Sequence, residues 1–208
     1  TSFLTPEKMG SFRYGSNLVN IQANAPAKGG AGSFKYDDEG TPARKIFLVR
    51  NGIFSGYLSS RQTAQEIGLE SSGCMRASAW NMIPIIRMTN INLLPHQGRL
   101  EELIKDTKDG IFLSTNKSWS IDDKRLNFQF GCELAQEIKN GKLGKIYKNP
   151  VYTGITPVFW NHCTGICGPS EWFMWGVSNC GKGEPMQTAH VGHGTAPARF
   201  EKVEVFSK

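Results

Sequence analysis

Cysteine 180 lies in the run Asn179-Cys180-Gly181-Lys182-Gly183, with His190 and His193 shortly downstream. Flanking glycines let the backbone turn tightly and leave the sulfur accessible. A cation beside a thiol favours the thiolate, the form that binds metals and attacks carbon. Three roles follow for Cys180: metal ligand, nucleophile or inert structural cysteine. As a nucleophile it would take His190 or His193 as general base, and the sequence names no third group to orient that base.

A second group of soft donors precedes it. His162, Cys163 and Cys167 stand upstream of Cys180, so the stretch to His193 holds six candidate ligands for zinc. Three residues separate Cys163 from Cys167, where zinc knuckles usually place two. Free cysteines also behave as small hydrophobes, and packing is the favoured reading for Cys163 and Cys167. The acidic run Asp37-Asp38-Glu39 could bind a cation or an amine, but more often such a run is a solvated turn. No His-Glu metallopeptidase helix, which would set two imidazoles and a general-base glutamate together, occurs in the 208 residues.

The elements that must position these residues read as mostly β. Asn17 to Ala25 alternates apolar and polar residues, as a half-buried strand does, and Lys28 to Ser33 follows as a flexible loop. Ile46–Arg50 and Ile53–Leu58 flank Asn51-Gly52, a pair suited to the positive φ angles of a two-residue hairpin turn. Ser59 or Ser60 can cap a short helix over Arg61–Ile67, ended by Gly68. Pro84–Leu94 reads as one strand in which Arg87 and Asn90 are the polar residues that stand out. Leu100–Lys108 reads as a helix ended by Gly110. Leu126–Phe130 alternates, and Leu134–Ile138 and Leu143–Tyr147 flank a second hairpin turn at Asn140-Gly141. Val151–Trp160 and the tail Arg199–Phe206 read as strands, the latter closing a sheet. The two Asn-Gly hairpins look alike, which is weak evidence for a repeat. The fold class is α+β: a largely antiparallel, strongly curved sheet or barrel-like core of hairpins with two or three short helices.

Composition narrows the partners. Hydrophobic residues make up 39% and charged residues 20%, which suits a folded globular chain rather than a disordered one. No apolar run approaches the roughly 20 residues a membrane helix needs, so no membrane partner is expected. The net charge of +6 is scattered among carboxylates with no basic stripe interleaved with aromatics, so no nucleic-acid partner is expected. Five cysteines, an odd number at low density, fit a reducing compartment, by default the cytoplasm.

Taken together, the motifs resemble the carboxy-terminal domain of the TldD/PmbA family. Those that carry the likeness are Asn179 to Gly183, Pro185-x-Gln187 and His193-Gly194. Upstream, in the same order, come Tyr36 to Gly40, the Asn51-Gly52 hairpin with Gly56-Tyr57, Arg87 to Asn90, Gly110-Ile111, Phe128-x-Phe130 and Ile138-x-Asn140-Gly141. The likeness spans about residues 15 to 205. It implies a zinc metallopeptidase, or the metal-free partner subunit of one. In such a peptidase two histidines of a His-Glu-x-x-x-His helix hold the zinc, and a cysteine from this domain, here Cys180, completes the set. The helix glutamate would be the general base. This chain lacks that helix, so residues 1–208 are expected to be a single C-terminal domain whose zinc-binding helix lies upstream, and the fragment alone is expected to be inactive. The resemblance further implies unfolded or extended peptides as substrate, a homodimer or a heterodimer with a family paralogue, and a cytoplasmic location. The family's association with DNA gyrase finds no support in these residues. His190, His193, Arg87 and Asn90 are weak candidates for substrate binding. The alternatives are a non-catalytic scaffold or partner subunit of the same family and a cysteine-dependent peptidase using Cys180.

Overall fold

The computed structural model describes residues 2–183 and 185–207. In chain order the elements are β1 (Ile21–Asn24), β2 (Lys45–Arg50), β3 (Ile53–Phe54), α1 (Arg61–Glu66), β4 (Met75–Arg76), β5 (Ile85–Ile86) and β6 (Asn90–Leu93). Then follow α2 (Leu100–Lys105), β7 (Asp109–Ile121), β8 (Asn127–Lys139), β9 (Lys142–Lys148), β10 (Pro150–Ile155), α3 (Thr156–Asn161) and β11 (Cys163–Ile166). The chain ends with β12 (Phe173–Lys182), β13 (Gln187–Thr195), β14 (Ala198–Phe200) and β15 (Glu204–Ser207). The fold is thus α+β, rich in antiparallel strands and with short helices, as its sequence implies.

Local chemistry explains the clearest elements. Asn51 and Gly52 take φ of 49° and 78°, and Asn140 and Gly141 take 47° and 75°. Each pair joins adjacent antiparallel strands, β2 to β3 and β8 to β9. Both central residues left-handed is what lets a two-residue turn follow the right-handed twist of its strands. Ser60 caps α1 with a reciprocal pair: its Oγ accepts from Thr63 N at 3.0 Å, and Thr63 Oγ1 accepts from Ser60 N at 3.0 Å. Gly68, at φ 68°, follows the last turn.

Six strands form one sheet in the order β12-β13-β6-β1-β2-β3; β12 is an edge strand, while the outer side of β3 is met by the segment Gly10 to Arg13. Its neighbours are antiparallel except for β6 and β13, which run parallel. A five-stranded sheet runs β15-β10-β8-β7, with β9 also paired to β8. Two small ribbons, β4–β5 and β11–β14, complete the pairing. Neither large sheet closes into a barrel.

Val19, Val49, Leu93, Ile166, Ala196, Cys163 and Cys167 pack together as the core, sealed by Tyr14, Leu103, Trp160 and Trp172. Each large aliphatic side chain fully buried there contributes about 1.5–3 kcal/mol. An aromatic group ties the five-stranded sheet to the β11–β14 ribbon through α3. Phe159 stacks on Phe200 with centroids 4.0 Å apart and meets Phe128 edge-on at 5.2 Å. Burial pushes the phenols of Tyr14 and Tyr152 up to about 12.

Four elements differ from their sequence-based reading. Val151–Trp160 is not one strand: β10 gives way to α3, whose first turn holds Pro157, a residue preset for that position. Pro84–Leu94 is two strands in different sheets, since β5 pairs β4 while β6 lies between β1 and β13. Helix α2 stops at Lys105, and Gly110 is a strand residue opposite Ile138. The tail breaks at Lys202, at φ 54°, so β14 pairs β11 and β15 pairs β10.

Candidate functional site

Cys180 sits near the end of β12, the edge strand of the six-stranded sheet. Val177 pairs with Val191 and Cys180 with Ala189, so Ser178 and Asn179 together stand opposite His190. This is a β-bulge, the device by which a strand re-aims a side chain near its end. Of the five cysteines, Cys74, Cys132, Cys163 and Cys167 are buried, and Cys180 alone is partly exposed. Burial pushes the thiols of Cys74 and Cys132 up, and those of Cys163 and Cys167 up to about 11. Those four are unsuited to ligation or attack near neutral pH, which leaves Cys180 as the accessible sulfur.

Three side chains tie the β12–β13 hairpin to the segment before β6. The Arg87 guanidinium donates through Nη1 to Gln187 O at 2.7 Å and through Nη2 to Cys180 O. Gln187 accepts at Oε1 from Ser78 N at 3.1 Å and donates through Nε2 to Ile83 O at 2.8 Å. Lys182 donates to Ile86 O at 2.7 Å. Burial, with Arg87 nearby, holds the Lys182 amine below its ordinary value. Arg76, held below its ordinary value by burial and by Arg87 nearby, lies over the Phe34 ring and donates to Met88 O at 2.6 Å. Arg87 and Gln187 are 3% and 5% exposed. Their role was not evident from the sequence, although a charged Arg87 inside an apolar run signals a side chain that must find buried acceptors.

Asn90 is completely buried on β6. Its Nδ2 donates to Asn24 O at 2.8 Å and Ser33 Oγ at 2.9 Å, and its Oδ1 accepts from Gly32 N at 2.9 Å. A Cβ at Gly192 or Gly30 would overlap this amide, so glycine there is what admits it. Both Arg87 and Asn90 therefore belong to the framework of the site and not to its open surface.

The histidines are spread out. His193 pairs with Trp175 across the hairpin and with Ile91 on β6. Four residues along a strand separate it from Ala189, the partner of Cys180, a distance of about 13 Å. Burial holds its imidazole below the ordinary value of 6.5, opposed by a hydrogen bond at the Ile91 backbone. His190 is exposed, across from the bulge, and His162 ends α3 with its carbonyl accepting from Glu201 N at 3.0 Å. Among the described residues no cluster of three or more His, Cys, Asp or Glu could hold a metal ion, so the zinc-knuckle alternative around Cys163 and Cys167 fails on geometry. The acidic run is a turn, with Asp38 exposed and Asp37 alone buried. Asp37, 5% exposed, accepts from Thr41 N at 2.8 Å and Met75 N at 3.1 Å, and Asp38 accepts from Ala77 N at 2.6 Å.

One accessible thiol on a sheet edge, with no group of three or more candidate ligands around it among the described residues, is chemically apt as one member of a metal's donor set but not as a whole site. Comparison with known proteins gives this arrangement its context. The PmbA/TldA metallopeptidase C-terminal domain model matches residues 1–206. The chain belongs to that family. A metalloprotease of Methanocaldococcus jannaschii is 36% identical over 188 residues, covering 90% of this chain and 40% of the relative. A zinc metalloprotease TldD homolog of Saccharolobus solfataricus is 26% identical over 200 residues, covering 95% of this chain and 44% of the relative. The chain thus spans about two fifths of the length of the curated relatives it matches. TldE from Thermococcus kodakarensis shares the fold, with a TM-score of 0.75 at 20% identity over 96% of this chain and 42% of that one. Among the described residues no helix is long and apolar enough to cross a membrane.

Proposed function

We propose that this chain is the C-terminal domain of a zinc-dependent peptidase acting on unfolded or extended peptides, and that Cys180 is the zinc ligand it supplies. The observation that carries the reading is the accessibility of Cys180 alone among the cysteines, re-aimed by a bulge on an edge strand. Family membership and relatives named as metalloproteases support it. Zinc held by three protein ligands would polarise a peptide carbonyl and bring a bound water's pKa near neutral. Within this chain, Cys180 would hold the metal, and Arg87, Gln187 and Lys182 keep its hairpin in place. The free edge of β12 offers main-chain N–H and C=O groups to an extended peptide, an arrangement tolerant of sequence. Exposed Phe173 and Trp175 beside it would cover apolar side chains. The remaining zinc ligands and the general base would come from outside these residues, as would a dimer partner, and a cytoplasmic setting suits five free thiols.

The test uses the full-length protein that carries this chain. Cys180→Ser lowers bound zinc, measured by elemental analysis after dialysis, and peptidase activity on an unfolded fluorogenic substrate together. Zinc at the wild-type stoichiometry and affinity in that variant would sink the ligand assignment. Inactivation by iodoacetamide with full resistance to chelators would instead point to a cysteine peptidase.

A further inference from the structure

An edge strand has a neighbour on one side only, and at the Ser178–Asn179 bulge the ladder to β13 is interrupted as well. Pairing resumes at Cys180 with Ala189, so the direction in which Cys180 leaves the backbone is set immediately past the bulge, with a neighbouring strand on one side only. A buried guanidinium supplies what the ladder lacks. Arg87 is 3% exposed, its own N–H is held by Cys74 O at 2.9 Å, and its fork reaches one carbonyl on each strand of the hairpin, Cys180 O on β12 and Gln187 O on β13. The ion pairs among the described residues involve other side chains, so this buried cation is offset by carbonyl dipoles and not by a carboxylate. Such burial is costly unless the hydrogen bonds are well made, and a planar fork meets the two carbonyls with separate nitrogens in fixed geometry, where a lysine offers a single nitrogen.

We propose that Arg87 is a positioning residue for the metal thiolate: by gripping the Cys180 and Gln187 carbonyls it fixes the bulged end of β12 and aims Cys180 Sγ. This rests on the reading of Cys180 as a zinc ligand. Residues that orient a ligand without touching the metal typically govern about 10- to 100-fold in metal affinity. Arg87→Gln, which is shorter and uncharged, is expected to weaken zinc binding within that range. Arg87→Lys, which offers a single nitrogen, should fall between it and the wild type.

The experiment uses the full-length protein, with zinc affinity by chelator competition and the thiolate-to-cobalt charge-transfer absorption of the cobalt(II)-substituted form. Val19→Ala, in the core away from the hairpin, serves as a destabilised control matched by melting temperature. Weaker zinc binding together with a shifted or dimmed cobalt band in Arg87→Gln, partial recovery in Arg87→Lys, and wild-type values in Val19→Ala support the proposal. Equal losses in Val19→Ala and Arg87→Gln overturn it by making Arg87 merely structural. If Cys180→Ser abolishes the band while both Arg87 variants bind like wild type, the positioning role falls and the ligand assignment stands. If Cys180→Ser leaves band and affinity unchanged, the ligand assignment itself falls. Should Arg87→Gln not fold, Arg87→Lys against Val19→Ala decides by the same criteria.

Discussion

Replacing Asn90 with alanine tests whether the amide layer beneath β13 holds the site together. Asn90 is fully buried, and its side chain makes three hydrogen bonds, to Asn24 O, Ser33 Oγ and Gly32 N. Alanine removes all three, at about 1 kcal/mol each, and leaves the buried Gly32 N without this partner, at about 1–3 kcal/mol, while Asn24 O keeps the Ala27 N–H. The vacated space adds a cavity that rigid neighbours fill only partly, and Gly30 and Gly192 have no side chains with which to fill it. These contributions overlap, and a loss of about 3–5 kcal/mol is expected. For a domain of this size that is a fall of roughly 6–20 °C in melting temperature. Urea unfolding with a common m-value measures the difference directly. Asn90→Asp keeps the shape but replaces the Nδ2 donor with an acceptor facing Asn24 O, and buries a charge as well, so at pH 7 it should cost at least as much. A loss below about 1 kcal/mol for Asn90→Ala, at unchanged m, would refute the reasoning, because it would mean that these hydrogen bonds add nothing net over water.

Other outcomes follow from the same geometry. In the native protein at about pH 8, an uncharged alkylating reagent counted by mass should modify Cys180 rapidly and leave the four buried cysteines unreacted until denaturant is added. The half-buried His193 resists protonation when folded, so its contribution to stability is complete above the ordinary value of 6.5. It is lost as pH falls below that value, where the unfolded chain takes up the proton first. Denaturation midpoints measured from about pH 8 to 5 should therefore drop less steeply in His193→Gln. Gly192→Ala would push a methyl into the Asn90 amide, which three hydrogen bonds hold in place, and should destabilise by about 1–3 kcal/mol in a thermal melt.

The readings that held are those whose cause lies within a few residues. Asn51-Gly52 and Asn140-Gly141 adopt positive φ whatever surrounds them, and Ser60 and Thr63 cap each other across one turn. Cysteine burial was half legible. The apolar setting of Cys163 and Cys167 favoured packing, and they do lie in the core. The readings that shifted depended on partners distant in sequence. Apolar character in Pro84–Leu94 and Val151–Trp160 reports burial but not which sheet receives each half, nor that Pro157 would open a helix. The acidic turn was legible as a turn, but the burial of Asp37 within it was not, because one of its partners, Met75 N, comes from 38 residues away.

For the site itself, residue order alone names the reagent: a cysteine among glycines beside Lys182, in an order of motifs that leads to the family. Residue type and local backbone freedom are properties of the chain alone. Chain packing settled that Cys180 is the one cysteine in reach of solvent, and that His193 is set apart from it. It also decided that Arg87, Asn90 and Gln187 work beneath the surface. Those assignments depend on which strands pair and in what register, and that is settled by the joint burial of segments far apart in the chain, such as Ser78 and Gln187, 109 residues apart.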